Sequence, residues 1–402
     1  VRNDYDQPFD LAYAVPPLPY IGYGDVVDPA LRHRPFPGRT VLIAHARTIV
    51  PVDNNFMAER DTPPIDMGVD LSDLVVAKDL EPRDLMGRTV AVDAYNAIYQ
   101  FLSVIRQPDG TPLMDPRGRI TSHLEGLLNR NANLVEMGLR PAYVFDGIPP
   151  ERKEATVRER RERRESALRD WERAKAEGDI KRAYSKASQS SRITNEIVES
   201  ARILLTHLGL PVVQAPEEGE AQSAYMCAKG DVWASASQDF DSLLFGAPRL
   251  VRNLTLAGRR KMPGREEYRE VRMQLIDRQE TLSTLGLNGP QLVDLCILMG
   301  TDFNPGIAGV GPKKALKLIK QYGTLAGALQ ALGVDDPDML EVRDIFLDFE
   351  RTDDYKLVWK APDRQKVLAM LCGEYGFSEK RVNGALDKFA SGKKDQMRLD
   401  MF

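Results

Sequence analysis

An open α/β fold, a mostly parallel central sheet flanked by helices, is predicted by two features of this chain. Thr89-Val-Ala-Val-Asp93 is a short apolar run that ends in an acid and passes directly into a helical pattern over 94–103, and Pro141-Ala-Tyr-Val-Phe-Asp146 repeats the run and the acid. Two further apolar runs, over 210–213 and 232–236, are followed at once by carboxylates: Glu217, Glu218 and Glu220 after the first, Asp239 and Asp241 after the second. Strand, acid, helix is the rhythm of a sheet whose parallel strands are joined by helical crossovers.

Composition bounds the rest. The 402 residues, 43% hydrophobic and 28% charged, suffice for one large domain or two modest ones. Three cysteines, Cys227, Cys296 and Cys372, form no CxxC pair, which argues against a disulfide framework and a cysteine zinc site. A reducing, cytoplasmic home is expected. No apolar run approaches the ~18 residues of a membrane helix, and the N-terminus lacks the layout of a signal peptide, so no membrane partner is expected. With a net charge of −4, any case for nucleic acid must rest on local patches.

Taken in order, residues 1–66 stand apart. They hold the proline-rich stretches PPLPYIGYG, RPFPGR and DTPPID and one candidate strand, Thr40-Val-Leu-Ile-Ala44. They read as a poorly ordered extension or, since the chain opens on Val1, as a misassigned start. From Met67 the texture is that of an α/β domain. Pro108-Asp-Gly110 and Pro116-Arg-Gly118 mark turns, and 122–137 is a helix that stops at Gly138. The window 151–192 carries 14 lysines and arginines against 9 acids and is broken near Gly178-Asp179. Two charged helices standing away from the core are expected there. Residues 193–208 are amphipathic through Ile197, Ala201, Leu204 and Leu208; 258–277 reads as a basic connector; 291–299 is a buried helix that runs into Gly300-Thr-Asp302. The remainder reads as mostly helical, with 392–402 as a tail.

The chemistry lies in the acids. At ~4 Å and an effective dielectric near 20, two ionised carboxylates repel by roughly 4 kcal/mol, so a fold that gathers them needs a cation or raised pKa values. Asp93, Asp146, Glu218, Glu220, Asp239, Asp241 and Asp302 would converge on the crevice at the carboxyl ends of the strands, with Glu217 a bystander. Two divalent ions ~4 Å apart would balance most of that charge and could clamp the attacking and leaving oxygens of an in-line phosphoryl displacement. Donors that are all oxygen favour Mg²⁺, with Mn²⁺ as a substitute, over Zn²⁺. The bland alternative is that each aspartate caps the helix behind it, Asp239 and Asp241 capping one that starts near Ser242. Repetition of the pattern favours the ligand reading. Gly306-Ile-Ala-Gly-Val-Gly-Pro-Lys-Lys314 fits a helix, glycine turn and helix whose backbone amides face a phosphate, with Lys313, Lys314 and Lys317 beside it. A tight helical hairpin needs glycines in any case, and the arginine-rich arm could be a solvated helix with i,i+4 pairs; its cation excess favours a phosphate-facing role.

The residues resemble the flap endonuclease family, most of all its archaeal branch, from Met67 to the C-terminus. The resemblance rests on Val92-Asp93-Ala94 with Ile98-Tyr-Gln-Phe-Leu102, Tyr143-Val-Phe-Asp-Gly147 with Pro149-Pro150, Ala215-Pro216 with Glu218-Gly-Glu-Ala221, Gln238-Asp-Phe-Asp-Ser242, and Met299-Gly-Thr-Asp-Phe303 with Gly309-Val-Gly-Pro-Lys-Lys314. It implies a 5′-nuclease or PIN-like fold with a helical arch over 151–192 and a helix-turn-helix DNA-binding unit at 305–320. The nuclease domain would run over 67–391, with an N-terminal region at 67–170 and an internal region at 208–330. The implied activity is a structure-specific 5′ flap endonuclease, also a 5′-3′ exonuclease, acting in Okazaki fragment maturation and repair. By position the seven acids would be ligands of two Mg²⁺ ions, Lys153 and Arg160 would contact the scissile phosphate, and Tyr99 would stack on a base. Gly309, Gly311, Lys313, Lys314 and Lys317 would hold the duplex, with K⁺ among backbone carbonyls. In the tail, Gln396, Leu399 and Phe402 resemble the sliding-clamp (PCNA) motif, although a second aromatic is missing. A monomer is expected. The alternatives are a 5′ exonuclease or bubble-type nuclease of the same superfamily, and a non-catalytic, clamp-tethered DNA-binding protein. The acid set argues against the last.

Overall fold

Arg140–Phe145 and Thr89–Asp93 lie side by side at the middle of the protein because their side chains alternate between two apolar layers. In the computed structural model the described residues are 69–148, 154–256, 258–261 and 268–399, all within one unit, Thr62–Phe402. The chain runs β1 (Ala77–Leu80), β2 (Thr89–Asp93), α1 (Ala94–Val104), α2 (Ser122–Glu136), β3 (Arg140–Phe145), α3 (Glu154–Ala176), α4 (Ile180–Gln189), α5 (Asn195–His207), β4 (Val212–Gln214), α6 (Gly219–Lys229), β5 (Ala234–Ala236), α7 (Asp241–Leu244) and β6 (Arg249–Arg252). It continues through β7 (Gly258–Lys261), β8 (Tyr268–Val271), β9 (Met273–Asp277), α8 (Arg278–Leu285), α9 (Gly289–Met299), α10 (Pro312–Tyr322), α11 (Leu325–Leu332), α12 (Pro337–Leu347), α13 (Arg364–Leu368) and α14 (Glu379–Leu399).

Seven strands form one sheet in the order β1-β9-β6-β5-β2-β3-β4. The four pairings from β6 through β5, β2 and β3 to β4 are parallel; β9 pairs antiparallel with both β6 and β1. Val90, Val92, Tyr143 and Phe145 face the layer that holds Leu124, Leu128, Leu204 and Phe389, from α2, α5 and α14. The residues between them, Ala91 and Val144, face Met226 and Cys227 of α6. This period of two, with both faces covered, is why the central strands are continuous apolar runs. A separate cluster, with Leu292, Leu295, Ile297, Ile319 and Phe346, packs α9, α10 and α12 together.

Strand order reverses at β2: β3 and β4 extend the sheet on one side, β5 and β6 on the other. The crossovers on the two sides leave by opposite faces, so a crevice opens over the carboxyl ends of β2 and β5.

Several expectations need correction. Residues 258–277 are no mere connector: they form the β7-β8 hairpin and β9, a strand of the main sheet. The two charged helices do not stand wholly clear of the core. They pack on each other, and α4 docks on α1 through Tyr184 Oη to Val104 O (3.0 Å) and Ser188 Oγ to Ser103 O (2.9 Å), with Ala174, Ala183 and Ala187 buried. Their break does fall at Gly178, in the left-handed region at φ +74°. The C-terminal part includes a strap without regular structure, 349–363, fixed by Trp359 Nε1 donating to Pro141 O (2.8 Å) and Lys360 N to Gly209 O (2.9 Å). The candidate strand at 40–44 lies outside the described residues, and among these no helix is long and apolar enough to cross a membrane.

Candidate active site

Asp93 closes β2 and caps α1: its Oδ1 accepts from Asn96 N at 3.0 Å. The cap satisfies one orphan amide of the helix and leaves the second carboxylate oxygen for other partners. Across the reversal, Asp239 follows β5, and its Oδ2 accepts from Asn96 Nδ2 at 2.8 Å. Asp241 is the first residue of α7, and its Oδ1 accepts from Val69 N at 3.4 Å. Neither of this pair caps α7, whose N-cap is Phe240 with no side-chain cap bond, so that alternative fails.

Asp146 follows β3, and its Oδ1 accepts from Gly219 N (2.7 Å), the first amide of α6. A β-carbon at Gly219 would stand 2.7 Å from that oxygen, so glycine permits the approach. Glu218 is the N-cap of α6 and Glu220 lies in its first turn, where the helix dipole favours negative charge. Asp302 lies in the turn after α9, which is closed by the paired Thr301 and Asn304.

Glu220 feels the charge of three of the other acids. Burial lifts its carboxyl well above the usual range, Asp241, Asp239 and Asp93 lift it further, and a hydrogen bond with Ser237 opposes them. Its Oε1 is shut from solvent with no hydrogen-bond partner. On the β3 side, Tyr95 is raised first by burial and then by Asp146, with Asp93 adding to the rise and Arg202 opposing it. Glu217 is raised by burial, then by Glu350 and Glu218. Among the described residues no three Asp, Glu, His or Cys side chains are drawn together tightly enough to encage an ion. Asp93, Asp146, Asp239 and Asp241 are each held by an amide donor. An all-oxygen set of this kind, with an orphaned carboxylate oxygen at its centre, fits a hard divalent cation.

Around the acids, Tyr99 is half-buried on α1 under the Arg164 guanidinium, 5.4 Å from the ring centroid. Lys153 lies outside the described residues, and Arg160 falls in the second turn of α3. At the glycine turn, Gly309 has φ +75° and Gly311 is the N-cap of α10. Lys313, Lys314 and Lys317 are exposed there, with Lys314 Nζ 3.3 Å from Gly309 O. Gln396 and Leu399 are in the last turns of α14; Phe402 lies outside the described residues. Two residues at the site escape a motif-based reading. Asn96 and Arg252 touch the Asp239 loop, Arg252 through Nε to Gln238 O (2.9 Å) and a guanidinium 4.0 Å from the Phe240 centroid. The available signal was spacing: Asn96 and Gln100 lie three and seven residues after Asp93, on the same helix face, amid apolar neighbours.

Comparison with known proteins agrees with this geometry. Residues 69–167 match the XPG N-terminal domain and residues 209–302 the XPG I-region. Flap endonuclease 1 of Pyrococcus abyssi is 50% identical over 323 residues, covering 80% of this chain and 94% of that protein. Flap endonuclease 1 of Archaeoglobus fulgidus is 49% identical over 334 residues, covering 83% and 99%. The solved structure of flap endonuclease-1 from Methanococcus jannaschii superposes with a TM-score of 0.65 at 38% identity, over 82% of this chain and 100% of that one.

Proposed function

This chain belongs to the flap endonuclease family, and we propose that Asp93, Asp146, Glu218, Glu220, Asp239, Asp241 and Asp302 hold two Mg²⁺ ions at which it cuts branched DNA. It is a structure-specific 5′ flap endonuclease, hydrolysing DNA phosphodiester bonds in replication and repair, and nucleases of this family depend on a metal. The observation that carries the two-ion reading is Glu220, whose orphaned Oε1 and raised carboxyl mark a crowd of negative charge suited to divalent cations. A bound divalent pair supplies a lowered pKa for the attacking water and neutralisation of the charge growing on the phosphate.

The chain's own groups do the rest. The amides of Asn96, Gly219 and Val69 orient Asp93, Asp146 and Asp241. Lys153 and Arg160, at the start of the arch formed by α3 and α4, bring positive charge to the scissile phosphate. Tyr99 offers a face on which a base stacks beside the break. The N-terminus of α10, with Lys313, Lys314 and Lys317, grips the duplex backbone, and carbonyls such as Gly309 O accept K⁺. Trimming by 5′-3′ exonuclease action uses the same centre. The tail residues Gln396, Leu399 and Phe402 tether the enzyme to the sliding clamp. One chain carries every acid, so a monomer suffices, and three free cysteines suit a cytoplasmic setting. Residues 1–66 precede the regions that match the family.

The test uses 5′-labelled flap, gapped and nicked DNA with Mg²⁺ or with EDTA, together with calorimetric Mn²⁺ titration of the full chain. Flap cleavage that vanishes in EDTA, with two ions bound per chain, is expected. Cleavage persisting in EDTA, or a single ion at saturation, contradicts the reading.

A further inference from the structure

The carboxylates on either side of the strand-order reversal are joined by one buried residue, Asn96, through its backbone N–H on one side and its side-chain amide on the other. We infer that Asn96 is a positioning residue for cleavage, fixing the mutual orientation of Asp93 and Asp239. Its backbone N–H donates to Asp93 Oδ1 (3.0 Å) and its Nδ2 to Asp239 Oδ2 (2.8 Å), and the residue is 2% exposed. The amide can be oriented only this way, because the Asp239 carboxylate accepts and cannot donate. Asn96 Oδ1 then faces two donors, Gln238 N at 3.4 Å and Gln100 Nε2. Gln100 Oε1 accepts in turn from Thr255 Oγ1. A buried polar chain therefore runs from the turn after β6, through α1, to Asp239.

The same loop is held from its far side. Arg252 Nε donates to Gln238 O, so the polar groups of Gln238 are gripped from α1 and from β6. With the Gln238 backbone held in this way, Asn96 Nδ2 restrains the rotation of the neighbouring Asp239 side chain. Partners of this kind behind a metal ligand typically change metal affinity or activity ~10–100-fold when lost.

The inference rests on Asp239 being a metal ligand, and the experiment separates the two claims. Full-length Asn96→Leu, Asp239→Ala and Asn131→Ala are compared by Mn²⁺ calorimetry without DNA, by kcat and KM on a 5′ flap, and by melting temperature. Asn131 is the control: it is fully buried, donates to Leu127 O (2.8 Å) and accepts from Tyr143 Oη (3.1 Å), and neither partner is an acid. Asn96→Leu is expected to lower both Mn²⁺ affinity and kcat ~10–100-fold with KM within about two-fold. Asn131→Ala is expected to melt earlier with affinity and kcat nearly unchanged. Wild-type affinity and kcat in Asn96→Leu, or an equal loss in Asn131→Ala, overturns the assignment. Should Asn96→Leu fail to fold, Gln100→Leu removes one of the two donors to Asn96 Oδ1 and is expected to weaken both readings several-fold; unchanged values in it overturn the assignment equally. If Asp239→Ala retains full Mn²⁺ affinity and turnover, the ligand reading itself falls. If Asp239→Ala is inactive while Asn96→Leu is wild type, only the role of Asn96 falls.

Discussion

Within the site, Glu220 bears the strain of the whole acid set, since burial and three neighbouring aspartates oppose its ionisation. Its folded pKa is raised above the usual 4.5, so its stabilising contribution is present below that pH and is lost as pH rises toward the folded value. In EDTA, the melting temperature of the wild type is therefore expected to fall more steeply than that of Glu220→Gln as pH rises above about 4.5, with Mg²⁺ rescuing only the wild type. Parallel slopes, or equal rescue, would count against a shared cation site. His123 has the opposite sign. Burial holds its imidazole down at about 3 against the usual 6.5, with Nε2 2.8 Å from Ser200 Oγ. The unfolded chain takes up that proton first, so stability falls as pH drops below about 6.5. From pH 7.5 to 5.5 the wild type should lose about 1.4 kcal/mol more than His123→Gln in urea unfolding. Equal losses would show that the histidine is not held neutral.

Among the elements, α6 presents its N-terminus to Asp146, and α10 is proposed to present its own to the DNA backbone. Gly219→Ala would drive a β-carbon against Asp146 Oδ1, and a displacement near 1 Å in such a site can cost on the order of 100-fold in rate. Single-turnover cleavage should fall at least about ten-fold with DNA affinity little changed. A wild-type rate would place Asp146 outside the chemistry. Replacing both Lys313 and Lys317 with alanine should weaken binding evenly across DNA sequences and reduce the slope of log K against log salt by about 2. An unchanged slope would remove α10 from the interface. The elements were unequally legible in the sequence. β2, β3, α2 and α9 announce themselves because both faces of a central strand, and one face of a core helix, must be apolar. β1 and β9 do not. β1, Ala-Lys-Asp-Leu, is largely exposed at the sheet edge, and β9 has only Met273 and Ile276 buried, so neither carries a pattern that a basic loop lacks. The docking of α4 on α1 was hidden because it uses alanines and hydroxyls to backbone oxygens instead of a broad apolar stripe.

Across the whole molecule, the topology makes the site. β2 lies between β3, which follows it, and β5, which returns much later, and the acids that end these strands are separated in sequence by up to 146 residues, from Asp93 to Asp239. Acids after strands were readable one at a time. Their convergence required the strand order, and the amides that hold them, Asn96 above all, belong to no motif. In the proposed function, the arch and the glycine turn of α10 serve to deliver branched DNA to that crevice. The central claim, that these carboxylates cut DNA through bound metal, is tested most directly with Asp239→Ala. Full-length wild type and variant are given the same 5′-labelled flap in Mg²⁺, and binding and single-turnover cleavage are measured side by side. Wild-type binding within a few-fold, with cleavage abolished, is the expected result; turnover by Asp239→Ala at the wild-type rate would contradict it.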